Sequence, residues 1–139
     1  MISDFEEDII EKLKIDLGYE GPQITQEQFD NMVDYIMNDK EDDYNKHELI
    51  WRLSGCYEGL NLNKVVDIFI DARDSYYLPE LVSYVDGNLD QAYLVEKMIK
   101  TNDVNFIKES MDFCFDLLSV SLKYEHYEKL IKFCKNAQK

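Results

Sequence analysis

The segment DKEDDYNKHELI, residues 39–50, gathers the residue types that hold a hard cation. Asp39, Glu41 and Asp43 fall at the first, third and fifth positions of a calcium loop, where carboxylate oxygens would ligate the ion. Tyr44 stands where the sharp turn needs glycine, and Ile50 stands where a bidentate glutamate closes the shell, so the segment reads as an acidic connector. Asp67, Asp71 and Asp74 step by four and three residues, which places them on one helical face. No histidine lies near them in sequence to complete a transition-metal set, and a solvated face is the plainer reading. His47 and His126 are isolated from any HExxH or CxxC pattern. A Cys–His nucleophile cannot be argued from spacing alone. The five glycines, at 18, 21, 55, 59 and 87, build no phosphate-cradling loop. The expectation is a protein that is not an enzyme, with no catalytic residues, no metal and no cofactor.

The elements that would carry these residues read as helices. Ile2, Phe5, Ile9, Leu13 and Leu17 recur at three- and four-residue steps and make one apolar stripe. Ser3 with Glu6 and Thr25 with Gln28 have the form of capping boxes, and Gly18 is a stop signal. Phe29, Met32, Val33, Ile36 and Met37 mark a second stripe, and HELIWRLSGCYEGL (47–60) a third, with Leu49, Ile50, Leu53 and Tyr57 inward and Trp51 in the core. No stretch alternates with period two, and proline occurs only twice, so the fold class expected is all-α.

From residue 48 onward the chain resembles itself. ELIWRLSG (48–55) matches ELVSYVDG (80–87) at an offset of 32, VVDIFIDARD (65–74) matches LVEKMIKTND (94–103) at 29, and EKMIK (96–100) matches EKLIK (128–132) at 32. After Asp74 and after Asp103 a new helix begins, each Asp placed to accept hydrogen bonds from its first turn. A helix, a short capped turn and a second helix recurring every 30 residues or so is the signature of stacked antiparallel hairpins, none of which buries its apolar face alone. The organisation expected is one domain over 1–139: an N-terminal helix over 1–18 and helical hairpins over 25–136, six to eight helices in all. The pattern resembles the armadillo and HEAT class of α-solenoids, with a shorter unit; that resemblance implies a surface for binding other macromolecules.

Twenty-nine acids against fifteen bases leave a net charge of −14, and residues 1–96 carry −16 of it against +2 for residues 97–139. Nucleic acid and anionic membrane are poor partners for such a surface, and a basic protein is the better one. No apolar run approaches the roughly 20 residues of a bilayer span, and the acidic start MISDFEEDII is unlike a signal peptide. Three cysteines, Cys56, Cys114 and Cys134, form no CxxC pair and are expected as buried thiols of a cytoplasmic protein.

The stretch ELIWRLSGCYEGLNLNKVVDIFIDARDSYYLPEL, residues 48–81, in a small acidic helical chain, resembles the immunity proteins of bacterial polymorphic toxin and contact-dependent inhibition systems. The resemblance implies an antitoxin that neutralises one cognate toxin domain, often a basic nuclease. Two other readings share the acidity: a phage-encoded anti-defence protein that mimics nucleic acid, and a helical-repeat scaffold or regulator. The expected partner-binding residues are Asp39, Glu41, Asp42, Asp43 and Tyr44 of the connector with Asp71, Asp74, Tyr76 and Tyr77, since equivalent turns of stacked hairpins line one edge and tyrosine is a favoured interface anchor. Glu6, Glu7 and Asp8 are the next candidates. Reversing Asp42, Asp43 and Asp74 together is expected to slow association without unfolding the chain.

Overall fold

A computed structural model describes residues 4–21, 23–39, 45–85, 89–112 and 117–137, with side chains from residue 10 onward. Among them are nine helices and no strand, one helix more than the upper expectation. The chain divides into two compact units, Met1–Leu60 and Asn61–Lys139.

The first unit holds α1 (Asp4–Asp16), α2 (Gln26–Asn38) and α3 (Lys46–Ser54). α1 stops at Gly18, whose φ of 76° reverses the chain while Gly18 N–H donates to Ile15 O and Tyr19 N–H to Lys14 O, satisfying two terminal carbonyls. The buried Lys14 ammonium donates to Gly21 O at 2.8 Å and lies 3.6 Å from Glu11, which fixes the loop after the helix. α2 opens on the expected capping box: Thr25 Oγ1 accepts from Gln28 N, and Gln28 Oε1 accepts from Thr25 N. Phe29, Met32, Val33 and Ile36 of α2 pack in one core with Leu49, Ile50 and Leu53 of α3. The third stripe is shorter than its sequence suggested. Asn45 caps α3 at its start, and the helix ends at Ser54, where Gly55 closes it.

The second unit holds α4 (Asn63–Asp71), α5 (Tyr77–Val85), α6 (Gln91–Lys100), α7 (Val104–Asp112), α8 (Leu117–Ser121) and α9 (Tyr124–Ala137). α6 packs between α4 and α9, and the short α8 packs against both α5 and α7. The sequence repeat maps onto this arrangement. Val66 and Val95, 29 residues apart, are both buried, as are Phe69 and Met98, on neighbouring helices. Met98 is the buried residue of EKMIK in α6, and Leu130 is the buried residue of EKLIK in the adjacent α9. Gln91, at the start of α6, accepts from Lys123 N at 2.8 Å and donates to Ser121 O at 3.3 Å, tying the α8–α9 link to α6.

The two repeated turns are built alike. Arg73 and Asn102, again 29 apart, both have φ of 54°, and each precedes the Asp that caps the next helix. Asp74 Oδ1 accepts from Tyr76 N at 3.1 Å and Tyr77 N at 2.8 Å; Asp103 Oδ1 accepts from Phe106 N at 3.1 Å. Arg73 joins the turns. Its Nε donates to Asp103 Oδ2 at 3.1 Å, its Nη1 donates to Ile70 O at 2.7 Å, and its guanidinium lies 5.7 Å from the Phe106 ring centre. Equivalent turns of these two hairpins therefore do lie side by side.

Candidate functional site

The nine residues expected to bind a partner divide three ways. Glu41, Asp42, Asp43 and Tyr44 lie outside the described residues, as do the side chains of Glu6, Glu7 and Asp8. Asp39 is the half-buried C-cap of α2, in the first unit; its carbonyl accepts from Lys46 Nζ, which also reaches Met37 O at 3.4 Å. Asp71, Asp74, Tyr76 and Tyr77 meet at the α4–α5 turn of the second unit.

At that turn the fold uses much of what the sequence offered for contact. The Asp74 carboxylate caps α5, so reversing it to lysine removes two backbone hydrogen bonds and cannot be neutral to folding, contrary to the expectation for the triple reversal. Asp67 and Asp71 do share a face, and Lys97 of α6 answers them at 3.6 and 4.0 Å. The Tyr93 hydroxyl donates to Asp67 at 2.7 Å; that hydrogen bond, then burial and the nearby carboxylates, raises its phenol above the ordinary value. The Asp103 carboxyl is lowered by the hydrogen bond from Phe106 N and by Arg73, against an opposing effect of burial. Tyr77 is half-buried, its ring 6.2 Å from Phe69 and 4.7 Å from Tyr76. Asp71 and Tyr76, 52% exposed, remain at the surface of this edge.

Three smaller expectations change. Cys56 is exposed, at the bend after α3, whereas Cys134 is buried in α9; Cys114 lies outside the described residues. Trp51 is half-buried and flanked by Arg52, whose guanidinium sits 4.7 Å from the ring centre, so it is no member of the full core. Tyr57 is buried, and burial first, then Cys56 and Glu11, pushes its phenol up to about 12.

One surface escaped the sequence reading. The outward side of α2 carries Glu27, Asn31, Asp34 and Tyr35, all exposed, with the half-buried Asp30 beside them. Asn31 Nδ2 donates to the Tyr19 hydroxyl at 3.2 Å, which brings a second tyrosine to the middle of this face. α2 contains no lysine or arginine. That absence of bases is legible in the sequence itself.

Among the described residues no three His, Cys, Asp or Glu side chains stand close enough to hold a metal. A cavity of about 280 Å³ is lined by Asp90, Gln91, Lys123 and His126, but Asp90 caps α6 and Gln91 is committed to the α8–α9 link. A second, of about 240 Å³, lies between α7 and α9 and is lined by Met111, Ile131 and Cys134 with Lys108, Asp112 and Lys135. Comparison with known proteins finds no matching family model, no matching curated protein and no matching solved structure.

Proposed function

We propose that the protein is a cytoplasmic immunity protein of bacterial origin that binds one basic toxin domain, of the nuclease kind, and neutralises it by occupying its phosphate-binding surface. The observation that supports this most is where the charge sits. Residues 1–60 hold 16 acids and 5 bases, a net of −11, while residues 61–139 hold 13 acids and 10 bases, a net of −3. The boundary between the compact units is thus also a boundary in charge. A concentrated negative field on one unit is suited to steer a basic partner and speed its association. The second unit spends its carboxylates on caps and ion pairs: Asp74, Asp90 and Asp103 cap helices, Glu96 meets Lys100 at 3.6 Å, and Glu128 meets Lys132 at 2.6 Å. No helix among the described residues is long and apolar enough to cross a membrane.

The test is reconstitution with the product of the neighbouring toxin gene. The purified toxin domain should be inhibited at one equivalent of this protein. The association rate should fall about tenfold or more between low and physiological salt. Absence of a complex with any toxin domain encoded beside the gene would sink the proposal. So would a complex whose association rate ignores salt.

A further inference from the structure

We infer that the cavity between α7 and α9 is a binding site for a small amphiphilic anion, an aliphatic carboxylate of medium chain length. All its described lining residues belong to the second unit, so the site does not depend on the reading of a basic partner above. Each helix gives it three residues at the same spacing, Lys108, Met111 and Asp112 from α7 and Ile131, Cys134 and Lys135 from α9. Steps of three and four residues put each set on one helical face, and the two helices pack against each other. Met111 and Cys134 are buried and Ile131 is half-buried, so the floor is apolar. Burial pushes the Cys134 thiol up, which keeps it neutral: it lines the cavity as a small apolar group and not as a nucleophile. The Lys108 ammonium pulls the same thiol the other way, so its charge is felt inside the cavity.

The chemistry of the lining selects its occupant. Among the described residues neither Lys108 nor Lys135 makes an ion pair, although Asp112 stands four residues after Lys108. Elsewhere in this unit Lys97, Lys100 and Lys132 each meet a carboxylate of the fold. Lysine lays its methylene stem along an apolar wall and keeps its ammonium at the water, so two cations from opposite helices stand over one apolar floor. Asp112 offsets one of them and leaves a net positive charge among the lining residues. An inorganic anion would find charge there but would leave the floor uncovered, and a neutral hydrocarbon would cover the floor but answer neither ammonium. A carboxylate on an aliphatic chain does both. The volume of about 240 Å³ falls below the roughly 300–1,000 Å³ of sites for drug-sized ligands, which limits the chain to a short one. Met111, unbranched and adaptable, suits a floor that packs against a flexible chain.

The experiment uses the full chain and octanoate as the probe, with octylammonium and acetate as comparisons. Affinity is read by isothermal titration, and the place of binding by the amide NMR shifts of Met111 and Cys134. Octanoate should bind at one site, shift those two amides and bind at least tenfold more tightly than octylammonium; acetate should not bind. The comparison is stringent because the whole chain carries −14, so bulk attraction favours the ammonium, and a preference for the carboxylate must come from local cations. Lys108→Gln with Lys135→Gln should weaken octanoate binding about tenfold or more, as expected for loss of a charge-assisted hydrogen bond. Lys100→Gln with Lys129→Gln makes the same change in net charge at exposed positions of the same unit and should weaken it less than threefold. Melting curves check that each variant is folded. No saturable binding of octanoate, octylammonium binding as tightly, equal losses from the two lysine pairs, or shifts that leave Met111 and Cys134 untouched would each overturn the site, and the first two need no variant at all.

Discussion

Replacing Asp74 with alanine tests whether the repeated turn is held by its cap. One carboxylate oxygen accepts two backbone hydrogen bonds there, from Tyr76 N at 3.1 Å and Tyr77 N at 2.8 Å. The adjacent Arg73 is held at a φ of 54°, which side-chain-bearing residues adopt at some cost, so the turn depends on its neighbours to keep this shape. Loss of an N-terminal cap costs about 1 kcal/mol, within a range of about 0.5–2. In a cooperative unit of 60–100 residues that is a fall in Tm of about 4–8 °C. The second unit, residues 61–139, is of that size. Asp74→Asn is the control: its amide oxygen can accept the same bonds, so most of the stability should return. The assay is a urea titration followed by far-ultraviolet circular dichroism, with the melting curve as a second measurement. A loss under about 0.3 kcal/mol for Asp74→Ala, or equal losses for alanine and asparagine, would refute the idea that the cap holds the turn.

Three further outcomes follow from burial. The Tyr57 phenol, pushed up to about 12 by burial, favours its neutral form in the folded chain, so its contribution is fully present below about pH 10 and is lost as pH rises toward 12. The wild type should therefore lose up to about 2 kcal/mol more than Tyr57→Phe across that window, measured by urea titrations at stepped alkaline pH. Phe69→Ala should cost about 3–5 kcal/mol, because Phe69 is fully buried at a position the repeat uses again as Met98. Trp51→Ala should cost about 1–3 kcal/mol, because that ring is only half-buried. The reverse order in denaturant titration would contradict the packing described.

Helix content, the Thr25 capping box and the repeat were legible because each is a local property. Three- and four-residue apolar steps are read along one helix, and a cap needs only the residues within its own first turn. The equivalence of Arg73 with Asn102 was also written in the 29-residue offset, although neither is a glycine and left-handed backbone is not expected at arginine. What the sequence hid was long-range. That Lys97 would answer Asp67 and Asp71 depends on α6 packing beside α4. That Arg73 would reach Asp103 depends on two turns meeting. Leu49, Ile50 and Leu53 marked α3 correctly, yet the helix stopped at Ser54 and left Cys56 in solvent, because Gly55 ended it before the apolar pattern did.

The same long-range contacts decide how a net charge of −14 should be read. A count over the sequence weighs every carboxylate alike. The fold does not, because a carboxylate that caps a helix or faces a lysine across a helix pair already has its hydrogen bonds and its counter-charge. In the second unit, Asp67, Asp71, Asp74, Asp90, Asp103, Glu96 and Glu128 are all engaged in this way. Removal of the helix caps among them, Asp74, Asp90 and Asp103, would be felt in stability, whereas the exposed ion pairs add little to it. The first unit carries five bases for its sixteen acids, and two of those five, Lys14 and Lys46, point their ammonium groups at backbone carbonyls. Its acids outnumber the cations that its own sequence supplies by more than three to one. Subtracting the structural carboxylates thus takes Asp74 out of the expected contact surface at the α4–α5 turn and leaves the larger excess of negative charge on the first unit.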